Sequence, residues 1–243
     1  MSRFVFVVPA FNAQKTISQT LISVLSQTHN DWKIIIRDDM SSDETVKVSQ
    51  NFRDYFQLGD KIEVQSNVTK KWEVQNVLEM IQQCKPDDII CRLDADDWLT
   101  DTDILTILNH KYDNEGFDAV WTAHRWGFTG MNISGPLPDD ANVYEHPWVT
   151  SHFKTFRKSL IDSVDDQNFR GEDGNYFKRI GDQAIYLPAL HLAKKRQFLP
   201  IVAYHYTIDI QPLTFQTDDA KFQKNEAEFL RQRGFIKNEN FAK

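Results

Sequence analysis

Arg3-Phe4-Val5-Phe6-Val7-Val8-Pro9-Ala10-Phe11-Asn12 opens the chain with a β-branched and aromatic run that Pro9 closes. A strand wetted on one face alternates apolar and polar side chains, so an unbroken apolar run is the pattern of a strand covered on both faces. Asn12 stands where it can cap a helix, and Ile17, Leu21, Val24 and Leu25 then recur at helical spacing. The unit repeats. Trp32–Arg37 reads as a second strand, followed by Asp43 in capping position and a helix carrying Val46, Phe52, Tyr55 and Phe56. Lys61–Gln65 and Trp72–Cys84 form a third strand and helix, Asp88–Leu93 and Thr102–Tyr112 a fourth, and Asp118–Ala123 a fifth strand. This alternation predicts an α/β fold with a doubly wound, mostly parallel central sheet flanked by helices.

Regularity fades beyond Arg125. The aromatic, Gly and Pro content up to Trp148 predicts hairpins and loops rather than another β-α unit. Gly181–Lys195 reads as a helix, Ile201–Tyr206 as a strand, Asp218–Arg233 as a polar amphipathic helix, and the last ten residues as a loosely held tail. At 243 residues, with 41% hydrophobic and 26% charged residues, the chain has an ordinary globular composition. It suits one α/β domain, or one domain with an appended subdomain. No apolar run approaches the ~20 residues that would span a bilayer, and no secretory leader is expected from the first residues. Cys84 and Cys91 alone make neither a disulfide framework nor a zinc site, and are expected as buried free thiols in a reducing compartment. A net charge of −7 weighs against a surface for a nucleic acid polymer. It leaves open a local site where a metal holds a small anion.

In an open parallel sheet, ligands bind at the carboxyl ends of the strands. The residues there are Pro9-Ala10-Phe11-Asn12 after the first strand, Asp38-Asp39-Met40-Ser41-Ser42-Asp43 after the second, and Asp94-Ala95-Asp96-Asp97 after the fourth. Two acidic clusters thus converge on one sheet edge. Carboxylates this close repel one another and favour a cation between them. Oxygen donors without cysteine select Mg²⁺ or Mn²⁺ over zinc. Helix caps and solvated turn acids are the alternative, and for Asp43 the cap reading is at least as good.

These motifs, in this order and spacing, resemble the inverting family 2 glycosyltransferases of GT-A fold. Val7-Val8-Pro9-Ala10-Phe11-Asn12 resembles their first strand and nucleotide loop, and Ser23-Val24-Leu25-Ser26-Gln27-Thr28 the end of their first helix. Arg37–Asp43 is similar to their base-recognition loop, and Leu93-Asp94-Ala95-Asp96-Asp97-Trp98 to their DXD motif. The resemblance covers about the first 125 residues and returns near Asp182. It implies a nucleotide-sugar-binding half, residues 1–125, and an acceptor-binding half, residues 126–243, of one domain.

It also implies roles. Pro9, Ala10, Phe11 and Asn12 line the nucleotide, and Asp39 accepts a hydrogen bond from uracil, as an acceptor-only carboxylate can. Asp94 lies near the ribose with Ala95 beside it, and Asp96 binds a Mn²⁺ or Mg²⁺ that bridges the donor diphosphate. Met40 stands where the family usually has Gly or Asn, so the loop is expected to turn differently. Lys70 and Lys71 replace small residues and are candidates for phosphate contact, Lys71 foremost, with solvated lysines as the alternative.

Inverting transfer needs a base on the acceptor side. Asp182, in Arg179-Ile180-Gly181-Asp182-Gln183-Ala184, matches the family segment that carries it, and Asp173, in Arg170-Gly171-Glu172-Asp173-Gly174, is the second candidate. An N-cap role is the plain alternative for Asp182. The resemblance makes His205 a candidate late metal ligand, with a half-buried structural histidine an equal reading, and His152, where relatives have a segment beneath the donor sugar, ranks below it. Trp121, Trp126 and Trp148 are either sugar-stacking platforms or core. The expected activity is metal-dependent transfer of a sugar from a nucleotide-sugar, UDP-sugar favoured, to a hydroxyl on a glycan or glycoconjugate. The competing reading is a degenerate nucleotide- or glycan-binding module of the same fold. An Asp-nucleophile phosphotransferase needs its acids after the first strand, and a nucleotidyltransferase needs a Gly-rich basic loop there; neither fits. The expected location is cytoplasmic, with peripheral attachment to a membrane open.

Overall fold

In the computed structural model, residues 2–127, 129–207 and 218–237 are described. The Phe4 run forms β1 (Phe4–Ala10), whose side chains are buried on both faces. Phe4, Phe6 and Val8 enter one core layer with Ile17, Leu21 and Val24 of α1 (Ile17–Leu25). Val5 and Val7 enter the other layer, with Val74, Val77 and Ile81 of α3 (Trp72–Ile81) and most of α6 (Gly181–Leu192). Helices on both faces thus account for the unbroken apolar run.

Eight strands form one sheet in the order β3-β2-β1-β4-β7-β6-β8-β5. β2 (Trp32–Asp38) and β3 (Ile62–Ser66) extend β1 on one side in parallel, with α2 (Thr45–Tyr55) between them in the chain, and β4 (Ile89–Arg92) follows on the other side. This half has the expected parallel order. The other half departs from it: β6 (Ala119–Trp126) does not pair with β4. β7 (Lys154–Arg157), unforeseen in the sequence, enters between them and is antiparallel to both. Four residues in a Lys-Thr-Phe-Arg pattern carry too little apolar periodicity to announce a central strand. β8 (Arg196–Tyr206) is longer than the expected Ile201–Tyr206, runs parallel to β6, and pairs antiparallel with the two-residue β5 (Trp98–Leu99).

Other local expectations are corrected. Asn12 does not cap α1, which begins five residues later, at Ile17, with Thr16 in the cap position. Its backbone is left-handed (φ 52°), and its side-chain oxygen accepts from the Ser42 N–H at 2.9 Å, tying the loop after β1 to the loop after β2. Met40 adopts the left-handed conformation that Gly and Asn favour (φ 66°), at a steric cost. The chain end is also held through residue 237. Asn168 exchanges two hydrogen bonds with the Ile236 backbone, and Phe235 stacks on His191. Residues 238–243 of the expected tail lie outside the described residues. Cys84 and Cys91 are buried thiols, as expected.

Between β4 and β6 run α4 (Ile104–Asn109) and a π-helical turn; α5 (Lys158–Asp162) follows β7, and α7 (Asp218–Arg233) closes the described chain. A simple check of the packing is a pair of substitutions on α1. Leu21 is 1% exposed and its neighbour Ile22 45%. Leu21→Ala is expected to lower unfolding free energy by about 3 kcal/mol in urea titrations, and Ile22→Ala by no more than about 0.5.

Candidate active site

The carboxyl end of β4 delivers Arg92 and then Asp94-Ala95-Asp96-Asp97. The Arg92 guanidinium is only 3% exposed, and it pairs with Asp94 at 2.7 Å and with Glu73 at the start of α3. Directly opposite Arg92, in register across β4 and β7, stands Lys154, whose side chain is 1% exposed. Its ammonium lies 2.7 Å from Asp182 Oδ1, in the first turn of α6. Like charges facing each other across a strand pair are destabilising. Here two buried cations are balanced by Glu73, Asp94 and Asp182. Glycine at position 181 leaves room for Glu73 in this pose: a Cβ there would meet the Glu73 carboxylate and force it to shift.

The surroundings tune each acid. Burial alone would raise Asp182, but Lys154, His152 and Arg92 hold it well below the ordinary carboxylate range. Burial and the charge of Asp94 push Asp96 up to about 6, and burial with both neighbouring acids raises Asp97. Asp97 is held by the Tyr204 hydroxyl at 2.7 Å and the Thr207 N–H at 2.7 Å, so it supports the turn from below. Asp96 sits in the cleft wall, which strips part of its water, yet its outer edge is the most exposed of the acids in this turn. An acid whose charge is disfavoured beside a second carboxylate is a fit place for a divalent cation, and the oxygen donors of Asp94 and Asp96 suit Mg²⁺ or Mn²⁺.

Asp94, Asp96, Glu73 and Arg179 form the shared wall of two adjoining hollows. The smaller, about 500 Å³, is lined by Pro9, Ala10, Phe11, Asp39, Lys70, Trp72 and Lys178. Asp39 Oδ1 accepts from Asn67 Nδ2 and the Lys71 N–H, each at 2.8 Å, and Oδ2 from the Trp72 N–H at 2.9 Å. Burial opposes its charge, but these donors and Asn76 prevail and hold its carboxyl below the usual range. A carboxylate only accepts, so what Asp39 can offer a ligand in this hollow is an acceptor for an N–H. Lys71, the expected phosphate contact, turns away: its ammonium is held by Glu79 at 2.8 Å. Lys70 takes the place beside the hollow, its ammonium over the Phe11 ring. Ala95 is also absent from the lining. It is buried, and its carbonyl accepts from the hydroxyls of Thr16 and Thr20, each at 3.0 Å.

The larger hollow, about 670 Å³, brings Asp182 and His152 together with Trp126, Trp148 and Tyr206. The three tryptophans therefore divide: Trp121 is core, with its indole N–H bonded to the Gly135 carbonyl, while Trp126 and Trp148 face the cleft. Trp126 is fixed by its indole N–H, which donates to His124 Nε2 at 2.8 Å. Asp173 is not brought to this cleft. It sits on an exposed turn, accepting from the backbone and side chain of Asn175. His205 is not brought there either. Strand alternation points Tyr204 and Tyr206 toward the acids and His205 the other way, where it stacks on Trp98 at 3.8 Å. Asp94, His152 and Asp182 each offer a possible metal-ligand atom within 4.8 Å of one another. His152 fits that role poorly, because the Lys154 ammonium donates to its Nδ1 at 3.1 Å and leaves the ring proton on Nε2.

Sequence reasoning passed over Glu73, Arg92 and Lys154. For the two cations a signal existed, since a Lys or Arg within a buried apolar strand needs a partner; nothing local named the partners.

The fold sets two hollows at the carboxyl ends of β1, β2 and β4, with acids at their junction, where open α/β folds bind ligands. The model of "Glycosyl transferase family 2" matches residues 5–163, more than half of the chain, and the chain belongs to that family. A Campylobacter jejuni GalNAc(5)-diNAcBac-PP-undecaprenol beta-1,3-glucosyltransferase is 27% identical over 67% of this chain and 54% of its own length. An Escherichia coli UDP-Glc:alpha-D-GlcNAc-diphosphoundecaprenol beta-1,3-glucosyltransferase is 46% identical over 39 residues, 16% of this chain and 15% of its own. The matches thus span about half or less of these relatives. Among solved structures, S. aureus TarS 1-349 in complex with UDP aligns over 94% of this chain and 70% of its own, with a TM-score of 0.66 and 17% identity. A Pyrobaculum calidifontis mannosyltransferase, in complex with GDP-Man and Mn2+, aligns over 98% and 66%, with a TM-score of 0.67 and 13% identity. The fold is the GT-A fold of these neighbours.

Asp39 gives a pH prediction. Its carboxyl is lowered in the folded protein, so the stability it contributes is fully present above the unfolded value near 3.8 and is lost as pH falls through the lower folded value. Asp39→Asn sets an amide against the Lys71 and Trp72 N–H groups. Its deficit in urea midpoint relative to wild type is expected to be constant from pH 5 to 7 and to shrink below about pH 4. A deficit unchanged at pH 3 contradicts this account.

Proposed function

We propose that this chain catalyses metal-dependent transfer of a sugar from a nucleotide-sugar, UDP being the favoured nucleotide, to a hydroxyl of a glycan or glycoconjugate, with inversion. The observation that carries this reading is the junction of the two hollows at Asp94 and Asp96, with Asp39 in one hollow and Asp182 in the other. Residues 1–125 serve the donor and residues 126–243 mainly the acceptor.

In this reading the Asp39 Oδ2 accepts from the uracil N–H, and the backbone of Pro9-Ala10-Phe11 walls the nucleoside. Lys70, Lys178 and Arg179 bring positive charge to the diphosphate. Asp94 and Asp96 would hold Mn²⁺ or Mg²⁺, which when bound supplies Lewis-acid neutralisation of the leaving diphosphate. Trp126 and Trp148 offer apolar faces on which a sugar ring can lie. Asp182 removes the proton from the acceptor hydroxyl as its oxygen bonds to the anomeric carbon and the bond to the diphosphate breaks on the opposite face. Its low proton affinity keeps it ionised at neutral pH, at a cost in basicity. A lipid-linked acceptor, such as the two bacterial relatives are named for, would bring the chain to a membrane surface as a peripheral protein. No helix among the described residues is long and apolar enough to cross one.

Calorimetric titration of UDP, with and without Mn²⁺ and with GDP as control, is the direct test. Binding of UDP that needs Mn²⁺ supports the reading. Folded protein that binds neither nucleotide favours a degenerate module instead. Asp96→Ala is expected to abolish the Mn²⁺-dependent part of UDP binding with the thermal melt intact. Asp182→Asn is expected to keep UDP affinity and lower turnover at least about 1,000-fold, an order set by loss of general-base catalysis; near-normal turnover moves the base elsewhere.

A further inference from the structure

Lys154 is an unusual residue in an unusual place: a lysine in a four-residue central strand, 1% exposed, facing a second buried cation across the sheet. Lysine is almost never fully buried without a partner. Its two polar contacts converge on the cleft. The ammonium lies 2.7 Å from Asp182 Oδ1 and donates to His152 Nδ1 at 3.1 Å. An ammonium has no acceptor lone pair, so His152 Nδ1 must accept, and the proton of the neutral ring resides on Nε2. That Nε2–H lies 3.6 Å from Asp182 Oδ2, too far for a full hydrogen bond. The His152 ring cannot swing away, since Tyr204 and Tyr206 stack on it at 4.6 and 4.9 Å.

From this geometry we infer that Lys154 is a positioning residue for the proposed transfer, fixing Asp182 through Oδ1 and locking His152 in its Nε2–H tautomer. Asp182 is thereby anchored on one oxygen, and the other keeps its capacity to take a proton from an acceptor hydroxyl. The His152 Nε2–H faces that second oxygen from 3.6 Å, so it directs a proton toward Oδ2 without occupying it. Burying a strongly hydrated ammonium is costly, and packing alone would be met by leucine or methionine in this strand. The inference rests on the reading of Asp182 as the base.

Two measurements test it. Long-range proton–nitrogen NMR on the intact protein, with the His152 signal assigned by His152→Gln, reads the tautomer without any substrate. The expected result is an Nε2–H ring in wild type at pH 7 and loss of that lock in Lys154→Met. An Nδ1–H or charged ring in wild type, or no change in Lys154→Met, overturns the inference. Steady-state kinetics supplies the second readout. Lys154→Met is expected to lower kcat at least about 30-fold, an order typical of a misplaced catalytic group, with donor KM and UDP affinity within about threefold. Lys154→Arg is expected to recover part of kcat. Loss of UDP affinity in step with kcat would make Lys154 a structural residue and overturn its positioning role. If wild-type protein transfers no sugar, the proposed function falls, and the tautomer measurement still decides the role of Lys154.

Discussion

A guanidinium taken out of water must be paired, and Arg92, at the last position of β4, is paired with acids from two different parts of the chain. Glu73 comes from the first turn of α3, and Asp94 from the turn that follows β4 itself. Removing Arg92 would leave both acids without their cation. The arrangement therefore couples the position of α3 to the conformation of the Asp94–Asp97 turn. Lys154 extends the same constraint to α6 through Asp182. Gly181 belongs to it as well, since any side chain there would displace Glu73.

The consequence is a cleft whose acids are held before any ligand arrives. Asp94, Asp182 and Glu73 are each tied to a cation in the floor, and Asp97 is tied to Tyr204 and Thr207. Asp96 stands apart: its charge is opposed by burial and by Asp94. Fixed dipoles and charges aimed at a reaction centre cost no reorganisation when the reaction occurs. A floor of this kind suits group transfer between two hollows better than it suits a passive binding surface.

Much of the first half was legible in the sequence, because strand, loop and acid follow one another within a few residues. The β1 run and the Asp39 and Asp94–Asp96 positions needed only the rule that ligands gather at strand carboxyl ends. Local differences there were of one residue or one turn: Lys70 lines the hollow while the Lys71 ammonium is held by Glu79, and Asn12 ties two loops instead of capping a helix. The second half was far less legible. β7 enters the sheet from a segment with no strand signature, and its place between β4 and β6 sets Lys154 against Arg92. His205 failed for a simple reason of parity, since its neighbours Tyr204 and Tyr206 occupy the face that points at the acids.

The sequence by itself determined the α/β class, the parallel half of the sheet and the two acid clusters at its edge, because periodicity and turn chemistry are local properties. It also determined the resemblance that the family match bears out for residues 5–163. Tertiary structure decided which acid faces the cleft from the second half, Asp182 and not Asp173, and which tryptophans line it. It alone revealed the Arg92 and Lys154 floor, whose members lie far apart in the chain. Burial and pairing depend on what a distant strand or helix brings to the same point, and no local pattern encodes that.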